Sequence, residues 1–379
     1  MIAPVAPPFP DVRRIAVLRG GGLGDVLFAV PALQSLRAAY PGAEITVLGT
    51  RVAAELLAGR TDIADRVRVL PAVAGLTAAP EDRVDPEPVA AFVRACRADP
   101  IDLAVQVHGG GRHSNPFLLG LGGRHTAGTR TPDAEPLERN LDYVYYQHEV
   151  LRALEVAGLA GAAPVALQPE FALSEAERER GRAAIGADPD AANGLVVVVH
   201  PGATDPRRRW PMERFVTVAR RIIDEGARVV LVGGGADAGL CHEIAGSLDD
   251  RASAVTDLGG HLDLPGLAGV LAAADVMLGN DSGPRHLAQA VGTRTASVYW
   301  FGNLINAGPL GRGRHRVQLS WTTRCPTCGL DCTQVGWTAE RCEHDDSFVA
   351  DVDPDAVHAD VTALLADALA DRAVLSAGL

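Results

Sequence analysis

The sequence contains no lysine, so arginine supplies all of its fixed positive charge. The two side chains bind phosphate differently, because a guanidinium makes paired hydrogen bonds whereas an ammonium acts as a point charge. The 35 basic side chains are outnumbered by 47 acidic ones, which gives a net charge of −12. A chain of this charge is a poor partner for a nucleic-acid backbone, and we expect no nucleic-acid binding.

Aromatic residues are also scarce, at 4% of the 379 residues, so the cores must be built from Ala, Val and Leu. The length favours two domains over one. No apolar run approaches the ~18 residues of a membrane span. The first residues contain prolines and an acid where a signal peptide has a basic end and an apolar block. We therefore expect a cytoplasmic protein, with at most peripheral contact at the inner face of the plasma membrane.

The most informative stretch reads VMLGNDSGPRHLAQAV. Its apolar start, Val276 to Gly279, predicts a buried strand of a parallel sheet. The turn through Ser282 and Gly283 into a helix leaves backbone N–H groups at the positive end of the helix dipole, which suits phosphate. With Asp281 at the strand end, the ligand would carry hydroxyls as well, as a nucleotide sugar does. The alternative is a capped helix start in which Asp281 and Ser282 serve only the backbone.

A second glycine-rich turn lies near the N-terminus, between a strand at Ile15–Leu18 and a helix from about Val26 to Ala39. The dinucleotide-binding pattern fails here, because its third glycine position is Asp25 and the following strand ends without an acid. Asp25 stands instead at the tip of the strand, where a carboxylate could act as a general base. The alternative is an acid that only stabilises the helix N-terminus.

A strand at Asp102–Val107 ends in the sequence His-Gly-Gly-Gly, beginning at His108. This sequence is typical of a lipase oxyanion loop, but the Gly-x-Ser-x-Gly nucleophile motif is absent, which argues against a hydrolase. We interpret the loop as the wall of a cleft, with Arg112, His113 and Ser114 available to a polar substrate. Polar, proline-punctuated residues 124–142 predict a surface loop, followed by a helix over about 142–157.

The second half repeats the alternation of strand and helix that predicts a doubly wound parallel sheet, after an Ala/Gly/Pro-rich hinge at residues 158–168. A strand at Leu195–Val199 leads into His200-Pro-Gly-Ala, and a strand at Arg228–Val232 ends in three glycines. Between them lie the arginines at 207, 208 and 209, which would clamp a diphosphate at the sheet edge. The alternative is a solvated basic turn.

Four of the six cysteines fall between residues 325 and 342. The spacing Cys325-Pro-Thr-Cys328-Gly resembles a zinc knuckle, and with Cys332 and Cys342 these thiolates would suit a structural zinc ion. Against this, the second pair lacks the Cys-x-x-Cys spacing, and the alternative is four free thiols that shape a loop.

These motifs, in this order, resemble glycosyltransferase family 9, the ADP-heptose:lipopolysaccharide heptosyltransferases and their relatives. The residues that carry the resemblance are Leu23-Gly24-Asp25-Val26-Leu27, Pro31-Ala32-Leu33, His200-Pro201-Gly202-Ala203, Arg209-Trp210-Pro211, Asp281-Ser282-Gly283 and His286. Each motif alone is weak, but the ordered set covers nearly the whole chain.

The resemblance implies a GT-B fold, in which two Rossmann-like, doubly wound parallel-sheet domains face a central cleft. It implies an acceptor-side domain at residues 1–168, a nucleotide-sugar-binding domain at 169–350, and a C-terminal helix at 351–379 that returns to the first domain. The implied reaction inverts configuration at the sugar and requires no metal or other cofactor.

By analogy Asp25 is the catalytic base that takes a proton from the acceptor hydroxyl. Arg208 stands where the family has a phosphate-binding lysine, Asp237 is assigned to the ribose, and Leu262 to the base pocket. The residues expected at the donor are His200, Gly202, Ala203, Arg208, Asp237, Leu262, Asp281, Ser282, Gly283 and His286. The residues expected on the acceptor side are Gly24, Arg112 and His113.

We therefore predict an inverting glycosyltransferase that moves a heptose or related sugar from an ADP-linked donor to a glycolipid or glycan. Two alternatives stay open at this point. One is a nucleotide-sugar-binding protein that has lost the transfer activity, and the other is a GT-B-like sugar-nucleotide epimerase, which would change the sugar without an acceptor.

Overall fold

The computed structural model describes residues 4–186, 194–333 and 341–377, with the side chains of 375–377 left out. The chain folds as two compact units, divided between Pro169 and Glu170. The predicted hinge at residues 158–168 directly precedes this point.

The first unit contains a six-stranded parallel sheet. Its strands are β1 (Arg14–Leu18), β2 (Glu44–Gly49), β3 (Arg66–Val69), β4 (Leu103–Gln106), β5 (His125–Arg130) and β6 (Arg139–Asp142). Its helices are α1 (Leu23–Ala39), α2 (Arg51–Leu56), α3 (Pro86–Ala98), α4 (Ser114–Gly120) and α5 (Glu149–Leu159). The strands lie in the order β3-β2-β1-β4-β5-β6.

The second unit repeats this plan. Its strands are β7 (Val196–His200), β8 (Arg228–Leu231), β9 (Val255–Asp257), β10 (Val276–Asn280), β11 (Arg294–Trp300) and β12 (His315–Ser320). Its helices are α6 (Glu175–Ile185), α7 (Met212–Asp224), α8 (Ala238–Ser247), α9 (Leu264–Ala273), α10 (Gly283–Ala290), α11 (Phe301–Ala307) and α12 (Pro354–Ala377). The order β12-β11-β10-β7-β8-β9 is that of the first sheet, with all strands parallel.

In each sheet the strand order reverses between two neighbouring strands, β1 and β4 in the first unit and β7 and β10 in the second. Parallel sheets of this Rossmann-like type bind ligands beyond the carboxyl ends of the strands at such a switch point. The four strands are almost entirely buried. Valine-rich runs such as that of β7 read as continuous apolar segments because both faces of the sheet are covered.

Two predictions in the first unit are wrong. Residues 124–142, predicted as a surface loop, contain β5 and β6, and the helix predicted from about residue 142 begins at Glu149. The centre of β5, Thr126 to Thr129, is buried although two of its four residues are polar. It forms a strand because it pairs with β4 and not because of its hydrophobic pattern. For this reason the sequence pattern did not predict it.

In the second unit, α6 crosses α9 at a point where both helices have glycine. A Cβ atom added at Gly181 would lie 2.0 Å from the backbone carbon of Gly269. The two backbones are therefore too close for any larger residue at this crossing.

The C-terminal helix α12 belongs to the second unit, where it packs against α7 and β11. It contributes Val357, Val361 and Leu364 to the core of that unit. The return of this helix to the first domain, which the resemblance implies, stays a prediction. Within the described ranges, no helix has both the length and the apolar character needed to cross a bilayer.

Candidate functional site

The switch point of the second sheet brings together residues from the ends of β7 and β10. His200 is the last residue of β7, and its Nδ1 lies 3.0 Å from Oγ of Ser282, which follows β10. The Ser282 hydroxyl makes no capping bond to α10, whose first residue is Gly283. The N-terminus of α10 therefore presents its first-turn backbone donors at the sheet edge, where an anion is stabilised.

The same histidine also contacts the start of α8. Nε2 of His200 lies 3.5 Å from Oδ2 of Asp237. This hydrogen bond lowers the pKa of Asp237 although partial burial opposes it. A Cβ atom at Gly202 would come within 2.3 Å of Oδ1 of Asp237, so a larger residue there would displace this carboxylate. The Asp237 carboxylate thus lies between the imidazole of His200 and the backbone of Gly202. Its contact with a ribose stays a prediction.

Asp281 is buried, with both carboxylate oxygens engaged. Oδ1 lies 3.1 Å from Nε2 of His286, and Oδ2 lies 3.3 Å from Nη1 of Arg208. Burial raises the pKa of Asp281, but the hydrogen bond with His286 and the charge of Arg208 outweigh it, so the pKa lies below its usual value. In this arrangement Asp281 orients Arg208 and His286. The predicted contact of Asp281 with sugar hydroxyls stays a prediction.

The three consecutive arginines do not form one clamp. Arg207 pairs with Asp205 at 2.6 Å, and Nε of Arg209 donates to the carbonyl oxygen of Ala203 at 2.8 Å. Arg208 is the one of the three that reaches the end of β10, and 39% of its side chain is exposed. An arginine that is held by a buried carboxylate but still open to solvent is suited to a phosphate ligand.

Sequence reasoning missed a buried cation beneath this site, Arg285 in the first turn of α10. Its guanidinium is fully buried and bonds to Ser297, Thr295, Gln289 and the ring of His286, none of which is a carboxylate. A positive charge is unfavourable at a helix N-terminus. An arginine in the first turn of the predicted helix was therefore the feature of the sequence that could have indicated a special role for Arg285.

Leu262 is half-buried in the loop that leads to α9. The loop adjoins the end of β8, because the N–H of Gly260 donates to the carbonyl oxygen of Gly233 at 2.9 Å. The structure therefore places Leu262 on a loop at the carboxyl edge of this sheet, and its role in a base pocket stays a prediction.

In the first unit, Asp25 lies in the first turn of α1 at the corresponding switch point. Its Oδ2 accepts from the N–H of Gly22 at 2.9 Å, and its Oδ1 accepts from Nη2 of Arg19 at 2.8 Å. The buried Arg19 also pairs with Glu149 at 3.2 Å. The Asp25 side chain is nevertheless 47% exposed. A carboxylate held in one orientation and still open to solvent is suited to accept a proton.

The other residues expected on the acceptor side make no polar side-chain contact with Asp25 among the described residues. Gly24 immediately precedes Asp25 in α1. Arg112 is largely exposed near Asp133, at 3.7 Å. His113 precedes α4 and packs against Gly75, where an added Cβ atom would overlap its ring. In the part of the chain that the structure describes, no hydrogen bond or ion pair joins Arg112 or His113 to Asp25.

His108, considered above only as part of a hydrolase-like loop, lies beside the Asp25 cluster. Burial, and next the positive charge of Arg19, lower its pKa to about 4, while the charge of Asp25 opposes this shift. Ser114, expected to be available to substrate, is buried and donates to the carbonyl oxygen of His108 at 3.0 Å. That expectation was wrong, because the hydroxyl holds the loop in place.

The lowered pKa of His108 predicts a loss of stability in mild acid. As the pH falls below about 6.5 the unfolded chain protonates this residue, whereas the folded chain keeps it neutral down to about pH 4. The free energy of unfolding should therefore fall by up to about 1.4 kcal/mol per pH unit in this window. Urea unfolding at several pH values should show a shallower decline for His108→Gln, and an unchanged slope would contradict the assignment.

Three of the predicted metal-binding cysteines converge with a histidine. The ligand atoms that lie within 4.8 Å of one another belong to Cys325, Cys328, Cys342 and His344. Cys332 is not among them. It is buried, with Sγ 3.6 Å from the carbonyl oxygen of Thr322. The prediction of Cys332 as a ligand was wrong because this thiol turns into the loop after β12. His344 was missed, although it follows Cys342 by two positions.

The turn at the first cysteine pair favours a thiolate. Backbone N–H groups of Cys328 and Thr327 donate to the sulfur of Cys325 and lower its pKa to about 7. Gly329 closes the turn with φ +71° and donates its N–H to the carbonyl oxygen of Cys325 at 2.9 Å. The four side chains form a cluster able to hold a metal ion.

Comparison with known proteins identifies the family of this chain. The profile of "Glycosyltransferase family 9 (heptosyltransferase)" matches residues 91–330. Lipopolysaccharide heptosyltransferase 2 of Escherichia coli K12 is 34% identical over 101 residues, which is 26% of this chain and 29% of that protein. The homologous protein of Salmonella typhimurium is 33% identical over the same length. The aligned part thus spans less than a third of these curated relatives.

Solved structures show the same fold over a much greater length. E. coli ADP-heptose lps heptosyltransferase II has a TM-score of 0.72 at 20% identity, covering 93% of this chain and 99% of that one. An E. coli heptosyltransferase bound to ADP-2-deoxy-2-fluoro heptose has a TM-score of 0.61 at 21% identity, covering 81% and 93%. The two Rossmann-like sheets are therefore those of a GT-B fold, and the chain belongs to glycosyltransferase family 9.

Proposed function

We propose that this protein is an inverting, metal-independent glycosyltransferase that transfers a heptose or related sugar from an ADP-linked donor to a hydroxyl of a glycolipid or glycan. The observation that carries the proposal is the switch point of the second sheet. There a helix N-terminus, the half-exposed Arg208 and the contacts of His200 and Asp281 lie at one strand edge. This combination recognises a diphosphate.

The nucleotide and sugar are proposed from relatives. The E. coli structure with ADP-2-deoxy-2-fluoro heptose belongs to a protein of the same fold, which supports an ADP-heptose donor here. We place the donor against His200, Gly202, Ala203, Arg208, Ser282 and Gly283, with Asp237, Leu262, Asp281 and His286 as its further surroundings.

The transfer would proceed in one displacement. Asp25 takes the proton from the acceptor hydroxyl while that oxygen forms a bond to the anomeric carbon. The bond from this carbon to the diphosphate oxygen breaks, and its electron pair leaves with ADP, so the configuration at the sugar inverts. Arg208 and the N-terminus of α10 offset the negative charge that develops on the leaving diphosphate. These groups supply the positive charge that a metal ion supplies in other transferases.

On the acceptor side we propose that Gly24, Arg112 and His113 contact the glycolipid or glycan. The exposed Arg112 is free to move toward an anionic acceptor, since its contact with Asp133 is long and open to solvent. A glycolipid acceptor would bring the protein into peripheral contact with the inner face of the plasma membrane.

A thermal-shift screen with ADP-, UDP-, GDP- and dTDP-linked sugars, without metal, tests the donor assignment. We expect ADP-heptose to stabilise the protein more than ADP alone does. Stabilisation by another nucleotide sugar would exclude heptose, and no stabilisation by any of them would overturn the donor site. Conversion of the donor sugar without an acceptor would indicate an epimerase, and binding without transfer to any acceptor would indicate a sensor or scaffold.

A further inference from the structure

We propose that Cys325, Cys328, Cys342 and His344 bind a zinc ion that holds a loop of the donor site in place. This loop, residues 205–210, contains the three consecutive arginines and is called the arginine loop below. The inference rests on the proposed function only for the identity of the donor. The metal site and its connection to the arginine loop stand on contacts within the second unit.

The ligand set fits zinc in number, type and spacing. Four side chains converge with their ligand atoms within 4.8 Å of one another. Tetrahedral zinc with bonds of about 2.0–2.3 Å places neighbouring ligand atoms about 3.5–3.8 Å apart, so a small contraction completes the site. Three thiolates and one imidazole are a recurrent donor set of structural zinc, and with four protein ligands the ion keeps no open position for catalysis.

The histidine provides an independent observation. Nδ1 of His344 is buried and has no hydrogen-bond partner among the residues that the structure describes. A buried nitrogen without a partner costs free energy, and such groups in folded proteins call for a ligand or an ion. A metal ion among the three thiols would satisfy this nitrogen.

The ligands are joined to the arginine loop by a short run of contacts. Oγ1 of Thr327, between the first two cysteines, donates to Oδ2 of Asp346 at 2.6 Å. Oγ of Ser347 donates to the carbonyl oxygen of Arg209 at 2.6 Å, and the N–H of Phe348 donates to that of Arg207 at 2.7 Å. The segment after His344 is therefore hydrogen-bonded to the backbone on both sides of Arg208.

The chain of contacts ends at the donor site. The guanidinium of Arg207 also lies over the ring of Phe348, 5.2 Å from its centre. Arg208, between these anchored neighbours, reaches Asp281. Since the metal would tie Cys325 and Cys328 to Cys342 and His344, which directly precede the segment around Ser347, loss of the ion would free this segment and let Arg208 leave its position.

The site is tested first by metal content. Protein purified under reducing conditions with zinc should contain about one zinc ion per chain, with sulfur and nitrogen ligands in X-ray absorption. Cys328→Ser and His344→Ala should lose most of the metal. Cys332→Ser is the matched control, because this thiol lies outside the cluster, and it should keep the zinc. Absence of zinc, retention of iron instead, or a disulfide between Cys325 and Cys328 would overturn the assignment.

The connection is tested by hydrogen exchange at residues 205–210, with and without removal of zinc by a chelator. We expect faster exchange there in the zinc-free protein, reversed by added ZnCl₂, and ADP binding weakened about tenfold. Unchanged exchange would overturn the connection even if zinc is present. If the zinc-loaded protein does not bind ADP at all, the donor assignment fails, while metal content and exchange still decide this proposal.

Discussion

Replacing Asp25 by asparagine should reduce turnover by about 10²–10⁴-fold while donor binding stays close to that of the unchanged protein. The amide keeps the size of the side chain, and its single oxygen can still accept from either Arg19 or the N–H of Gly22, which are the contacts that orient the carboxylate. It cannot take a proton from the acceptor. Single-turnover kinetics, with ADP affinity measured separately, would detect this pattern.

Two control variants separate loss of the proton acceptor from a change in the local charge. Glu149→Gln also removes a carboxylate from the neighbourhood of Arg19, so a much smaller loss there would show that the proton acceptor, rather than the local charge, is needed. Asp62→Asn changes an exposed loop residue and should behave like the parent. Normal turnover of the Asp25 variant would reject it as the base, and equal losses at Asp25 and Glu149 would point to a structural role for both.

Arg208→Ala should weaken ADP binding by about 10–100-fold, as expected when a charge-assisted contact worth roughly 1.5–3 kcal/mol is lost. Arg208→Lys should recover part of this affinity, because lysine keeps the charge but not the paired hydrogen bonds. Isothermal titration calorimetry would measure the series. The alanine variant also leaves Asp281 without one of its partners, so thermal unfolding should be recorded alongside.

The control for this series is Arg220→Ala. Arg220 lies on α7, is 44% exposed, and is 3.7 Å from Asp250. The Arg220→Ala substitution removes the same charge from the same unit, and this variant should bind ADP as the unchanged protein does. If the Arg208 variant binds ADP as tightly as this control does, the diphosphate assignment at Arg208 is wrong.

The fold was predictable to the extent that hydrophobic pattern determines it. The buried strands β1, β7, β8, β10 and β11 appear as short apolar runs, and α9 was placed to the residue. β5 and β6 were missed because their sequences are polar and their strand form depends on partners distant in sequence. Pairing of this kind leaves little trace in a local pattern.

Candidate site residues could be proposed from the sequence where they lie at or shortly after the end of a strand. Asp25, His200 and Asp281 were chosen because parallel strands place their carboxyl ends at one edge, and their roles stay predictions. What they contact was not predictable, since Arg19 and Arg285 act through long side chains whose direction depends on packing. His344 was missed because its convergence with the cysteines is a property of the folded loop.

The buried Arg285 should make the half-life of this protein in the cell depend on the concentration of its donor. Its hydrogen-bond partners carry no carboxylate, and Asp281 acts on it only through its charge, so a diphosphate bound at the N-terminus of α10 would add compensating negative charge. Ligand that binds only the folded state stabilises it by mass action. We therefore expect cells that make abundant donor to retain more of this protein. A pulse-chase half-life that is the same in cells lacking the donor would refute that link.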